Sequence, residues 1–418
     1  MFFFYLLVAV MPLEQHWFWR WNIVGSFTTM KVLGIVCLLL ALARICLGHA
    51  RPRLLGSAVA RWYLVFVMLQ CGSFFWHGDV LGVDPSVYWH TATISSLLVM
   101  TLSFVDSPSR MSRTLLLAIS AAGFASLYTV RGAQMSVGDF RPSGIFEDAN
   151  YYALVVGLWI PLAFLWAVSR RPTWERLLCL GCLAAMLLGT TFAASRGGFL
   201  GLTAALLFVV WHSHKRLRNF AVMAALTVPL LLFVPNSPWH RLMKPSYGDV
   251  KAQDARLVAW KAALRMIQAH PLAGAGLGNF RPLMQQYEDP ENAVVSVTHN
   301  TYLETAAELG IPALVVHLGI LGAALLTLGN FRRRALAARL THLHNLALGL
   351  QAGLVSYLVG AFFVSSWWIT AIWFPVFSAI CIDNLSSTVF GSRNRAADRL
   401  SEDRADVAAL VNAAAAAE

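Results

Sequence analysis

Twelve long apolar runs separated by short loops constrain this chain more than any other feature. They lie near 1–13, 31–48, 60–77, 90–105, 114–130, 149–168, 177–194, 197–212, 219–235, 309–329, 345–364 and 367–385. In hydrocarbon each backbone N–H and C=O must find a partner within protein, which leaves helices or closed barrels as spanning structures. The runs are continuous rather than alternating, so they read as helices. Composition agrees: only 13% of residues are charged, where a soluble domain carries about 25%. The expected fold is an all-α polytopic membrane protein with about twelve transmembrane helices and one large loop containing helices. The first run is short: as a helix it reaches about 20 Å against a core of about 30 Å, so it would tilt. No basic stretch precedes it, which argues against a cleaved signal peptide. Trp17, Phe18, Trp19 and Trp21 follow it and suit an interfacial aromatic belt.

Charge orients the spans. The formal net charge is +11, but the basic residues sit in alternate short loops rather than in one patch. These loops carry Arg51, Arg53 and Arg61; Arg110 and Arg113; Arg170, Arg171 and Arg176; Lys215, Arg216 and Arg218; and Arg332, Arg333, Arg334 and Arg339. Arg393, Arg395 and Arg399 follow the last run. The positive-inside rule makes all of them cytoplasmic, with both termini on that side, and no nucleic-acid partner is needed to explain them. The expected layout is nine helices over 1–235, an external loop over 236–298, three helices over 299–388 and a cytoplasmic tail over 389–418. The pair Cys179 and Cys182 has the spacing of a redox motif. It falls inside an apolar run, where packing is the expected role.

The opposite face holds the loops 78–89, 131–148 and 236–298. In the last, Asp254 reads as the N-cap of a helix that ends before Pro271. Leu257, Trp260, Leu264 and Ile267 recur at helical spacing and would form its apolar face. Such a loop would lie across the membrane domain as a lid or side wall. Four features share this face: Arg141 with the segment Gly144 to Asn150; Ser195-Arg196-Gly197-Gly198, a two-glycine break; Arg256; and His299, which leads into the tenth run.

These motifs together resemble the O-antigen ligase and Wzy-type polymerase superfamily. The resemblance is carried by His299-Asn300, Tyr302-Leu303 and Glu308-Leu309-Gly310. Arg256 with Trp260, Pro271, Gly274, Gly276 and Asn279-Phe280 adds to it, as do the Ser195 and Gly144 segments. It runs from about Arg141 to Leu314. Pro312 stands where many members have glycine, and Asp148-Ala149-Asn150 lacks a proline often present there. The resemblance implies an inverting, metal-independent glycosyltransferase of the bacterial inner membrane, working on the periplasmic face without a cofactor. Its donor would be a glycan on undecaprenyl diphosphate. Its acceptor would be lipid A–core oligosaccharide in a ligase, another undecaprenyl-linked repeat in a polymerase of O-antigen or exopolysaccharide, or a protein hydroxyl. The 236–298 loop would then be periplasmic, and membrane lipids would surround the chain.

The residues suit that chemistry. Arginine is always charged and forks onto phosphate oxygens, so Arg196, Arg256 and Arg141 are the candidate diphosphate ligands. Histidine titrates near working pH, so His299 is the candidate general base, with Asn300, Tyr302, Glu308 and Trp260 as supporting residues. Each has a plainer reading. Arg196 could snorkel to headgroups, Arg256 could pair with Asp254, and His299 could bond backbone at a helix start. Glu147 and Asp148, with Glu288, Asp289 and Glu291 in the loop, lack the arrangement of a divalent site, and no metal is expected. A transporter would keep ionisable groups inside its spans; here they are nearly absent, Arg44 and Asp383 lying near span ends and His317 alone inside one.

Overall fold

The computed structural model describes residues 1–13, 22–24, 27–50, 52–77, 86–135, 141–146, 148–213, 216–234, 237–245, 247–289 and 296–390. The expectations for Trp17, Phe18, Trp19 and Trp21, for Arg51, Glu147, Lys215 and Glu291, and for the tail beyond 390 lie outside the described residues.

Helices α1 (Phe2–Val10), α2 (Thr29–Cys46), α3 (Ala58–His77), α4 (Ser86–Phe104) and α5 (Pro108–Met135) come first. Then follow α6 (Ala149–Gly157), α7 (Ile160–Ala167), α8 (Thr173–Ala193), α9 (Arg196–His212) and α10 (Arg216–Phe233). The loop region holds α11 (Pro238–Met243), α12 (Tyr247–Ala269) and α13 (Phe280–Tyr287). The last three are α14 (Thr301–Ala337), α15 (Thr341–Gly360) and α16 (Thr370–Phe390). Among the described residues, the exception to an all-α chain is a short antiparallel strand pair, β1 (Asn22–Val24) with β2 (Phe27–Thr28). Its last residue, Thr28, caps α2 by accepting from Lys31 N.

Among the described residues, eight helices are long and apolar enough to cross a membrane: those over 29–46, 58–75, 108–133, 149–167, 173–193, 301–337, 341–363 and 370–390. The apolar helices Phe2–Leu13 and Arg196–His212 are shorter.

Close packing comes from small residues, as expected where lipid rather than water surrounds the helices. α5 lies along α8, α9 along α15, and α14 between α3 and α15. A Cβ on Gly353 of α15 would stand 2.2 Å from Leu158 O, and one on Gly123 of α5 would stand 2.7 Å from the Cys182 side chain. Cys179 and Cys182 are free buried thiols, and Cys182 fills the space opposite Gly123, which is a packing role.

Three local expectations need correction. The run 149–168 is two helices broken at Leu158–Trp159, and Pro161 opens the second, where its missing N–H is harmless. The loop helix α12 begins at Tyr247, before Asp254, though it ends ahead of Pro271. Its buried face is also not the one hydropathy suggests. Leu257 and Leu264 are about half exposed, at 48% and 51%, while Ala259, Ala262, Ala263 and Met266 are buried against Phe280, Met284 and Ala307. Small side chains let α12 approach α13 and the start of α14 closely, and that contact decides the buried face.

Candidate active site

Four chain segments far apart in sequence meet at the end of the bundle where α9 and α14 begin. α8 ends at Ala193, Ala194 takes a left-handed φ of 51°, and Ser195 caps α9 by accepting from Gly198 N at 3.2 Å. The break therefore falls at Ala194–Ser195, and the two glycines lie inside α9. They are needed for contact: a Cβ on Gly197 would stand 2.7 Å from the Phe363 Cβ, and one on Gly198 would stand 2.5 Å from the Ala153 Cβ. Arg196 is the first residue of α9. A helix N-terminus carries partial positive charge, so cation and dipole add at this point.

Arg141 is held beside it. Its Nε donates to Ala193 O at 3.1 Å and an Nη to Asn150 Oδ1 at 3.0 Å. The Ser195 hydroxyl donates to the same Asn150 oxygen at 2.9 Å. Asp148 caps α6, accepting from the backbone N–H of Asn150 and Tyr151. Arg241 of α11 donates to Ala194 O at 2.8 Å. Asn150 and Arg241 were not assigned roles from sequence. Asn150 belongs to a motif already noted, whereas Arg241 meets a backbone carbonyl, which leaves no pattern in spacing.

His299 sits on the other wall. Its φ of 48° is left-handed, uncommon for a side chain with a Cβ. The residues around it are fastened on both sides. Thr298 Oγ1 lies 2.8 Å from the Ser365 hydroxyl, and Thr301 Oγ1 donates to Val364 O at 2.6 Å. Asn300 caps α14, its Oδ1 accepting from Tyr302 N and Leu303 N. The Tyr302 hydroxyl donates to Leu358 O of α15 at 2.6 Å. Trp260 Nε1 donates to Thr298 O at 2.9 Å, which ties α12 to the same segment, one turn beyond Arg256. Glu308 accepts from Phe280 N at 3.3 Å and anchors α13. Asn300, Tyr302, Glu308 and Trp260 thus hold the walls in place.

Arg141, Arg196, Arg256 and His299 are half-buried; the three arginines lie within electrostatic reach of one another, and His299 within reach of Arg256. Burial lowers the Arg256 pKa, Arg196 and Arg141 lower it further, and Asp148 opposes them. For Arg141 burial again leads, Asp148 opposing and Arg196 adding to the fall. His299 is pulled below its ordinary 6.5, by burial first and by Arg256 second, with Asp148 acting the other way. The imidazole is therefore neutral at pH 7 and able to accept a proton. An anion bound between the arginines would relieve their mutual repulsion. Among the described residues no three His, Cys, Asp or Glu side chains converge as a metal site.

An apolar groove of about 270 Å³ runs between α8, α9 and α10. Thr190 and Thr191 line the end nearest Arg196, and Leu202, Leu206, Val210, Met223 and Ala224 continue it along the bundle.

Residues 181–318 match the family model described as O-antigen ligase. The chain carries an O-antigen ligase-family domain. That segment contains Arg196, Arg256, His299 and the whole α12–α13 region, while Arg141 lies before it. Members of the O-antigen ligase family are membrane ligases and polymerases of glycosyltransferase type. With its apolar helices, this chain is a multi-pass membrane protein. No curated protein matches the chain.

Proposed function

We propose that this protein is an O-antigen ligase-type inverting glycosyltransferase, moving a glycan from undecaprenyl diphosphate to lipid A–core oligosaccharide on the periplasmic face of the inner membrane. The observation that carries the reading is the cluster of Arg141, Arg196 and Arg256, with His299 beside Arg256, at the end of the bundle where α9 begins. An apolar groove runs along the same helix. The arginines hold the diphosphate, and the groove takes the polyprenyl chain attached to it. An acceptor hydroxyl attacks the anomeric carbon from the side opposite the diphosphate. His299 takes the hydroxyl proton, the new C–O bond forms, and the old C–O bond breaks with its electrons passing to the diphosphate. One displacement inverts the anomeric centre. The leaving group departs as an anion already paired with guanidinium, so no separate acid is required.

Twelve spans with both termini cytoplasmic remain the layout that fits the charge bias, and that layout puts the site outside. A deletion strain tests the function. Lipopolysaccharide gels should show uncapped core, with polymer retained on undecaprenyl diphosphate. Caps of a single repeat would instead identify an O-antigen polymerase, unchanged lipopolysaccharide with lost exopolysaccharide a polymerase of that polymer, and no change in either would defeat both readings.

A pH profile tests the electrostatics. The acid limb of kcat/KM reports the base in the free enzyme. His299 must be neutral to act, so activity falls as pH drops through its lowered pKa. Arg256→Gln removes one cause of that lowering, and the limb should move to higher pH along with the loss in rate. A limb that stays fixed would separate His299 from Arg256.

A further inference from the structure

A second charged pocket lies at the other end of the bundle, where α9 and α14 finish. Arg216, Arg332, Arg333, His212 and His344 line a cavity of about 250 Å³ with Trp211, Ser213 and Leu336. Among the described residues no carboxylate lines it. The Arg332 Nε is buried without a hydrogen-bond partner, an arrangement that costs free energy unless an acceptor arrives. His344 Nδ1 lies 3.2 Å from Arg332 O, which joins α15 to α14 beside the pocket. Arg216 begins α10 and His344 stands in the first turn of α15, while α9 and α14 end here, so the helix dipoles offset one another and the side-chain cations set the charge of the pocket. The rim is apolar: Trp211 is 71% exposed with Arg216 5.7 Å over its ring, and Leu217 beside Arg216 is 81% exposed.

We propose that this pocket binds the phosphate of an anionic membrane phospholipid, whose acyl chains lie against the exposed apolar rim. A basic pocket between helices at a membrane surface suits that headgroup. The lipid source is favoured over free phosphate because cation and exposed apolar surface are contiguous. The bound headgroup bridges four helix ends. Two of those helices carry the candidate site at their opposite ends, Arg196 on α9 and His299 just before α14. A lipid in this pocket therefore fixes the spacing of helices on which the arginines and histidine depend.

The test uses the full chain purified in a neutral detergent, with thermal unfolding as the readout. Phosphatidylglycerol should raise the midpoint by a few degrees, and phosphatidylcholine should not. Inorganic phosphate alone should give no comparable rise. Arg216 and Arg333 are exposed, so Arg216→Gln with Arg333→Gln leaves the core intact while removing two cations. That double variant should lose the phosphatidylglycerol response, and Arg216→Lys should keep most of it. Native mass spectrometry should show less phosphatidylglycerol retained by the double variant. The proposal is overturned by equal stabilisation from phosphatidylcholine, by a phosphate effect as large as the lipid effect, or by a double variant that responds like the wild type.

Discussion

His299→Ala is expected to lower glycan transfer by about 10²–10⁴-fold, the usual contribution of a positioned general base. The donor KM should change little, because in the proposed mechanism the diphosphate is held by Arg141, Arg196 and Arg256 rather than by the imidazole. The loss cannot be attributed to a collapsed wall. Thr298, Asn300 and Thr301 make the bonds that fix this segment, and none of those bonds uses the imidazole. Alanine also meets about the same left-handed strain at this position as histidine does. The residual rate should lose its acid limb, since nothing remains to be protonated. Arg256→Lys makes the contrast: charge survives, the fork is lost, and donor affinity should fall while the pH limb stays near its place. If purified His299→Ala transfers glycan at the wild-type rate, histidine is not the base.

What could be read from the sequence follows from what hydropathy measures. Apolar runs announce helices because the membrane leaves few alternatives, and α2, α3, α5, α8 and α14–α16 coincide with them. The break at Leu158–Trp159 is invisible to hydropathy, since both halves are apolar, and Pro161 at the start of the second half is its mark in the sequence. Hydropathy misplaces the buried face of α12, because leucine is far more apolar than alanine while close docking on α14 selects alanine. Arg141, Arg196, Arg256 and His299 could be picked out by residue type, shared side and family resemblance. Their meeting depends on how α6, α8, α9, α12 and α14 pack, which spacing does not encode. The supporting roles were the least legible. Trp260 acts through a carbonyl and Glu308 through a backbone N–H, and neither partner varies with residue type.

Gly310→Val should be among the most destabilising single changes in the chain, because Gly310 joins the loop helices to the site. Its φ of 83° and ψ of 169° interrupt α14 in a region open essentially to glycine alone. The interruption frees carbonyls that an unbroken helix would use. Ala307 O accepts from Ala275 N and Glu308 O from Gly276 N, each at 2.8 Å, while Ile311 N donates to Pro271 O at 2.8 Å. Pro312, which departs from the family glycine, fits for the same reason: it stands in the first turn after the break, where its missing N–H is not needed. A Cβ on Gly310 would stand 2.2 Å from Leu272 O, so backbone has to move. Strain of about 1–3 kcal/mol adds to that overlap, and the total should exceed about 4 kcal/mol. The thermal midpoint in detergent should fall steeply for valine and less for alanine, and Pro312→Ala should be mild. Transfer should fail even where Gly310→Ala still folds, since α12 would no longer hold Arg256 near His299. A Gly310→Val protein that melts with the wild type would mean that the break in α14 does not exist.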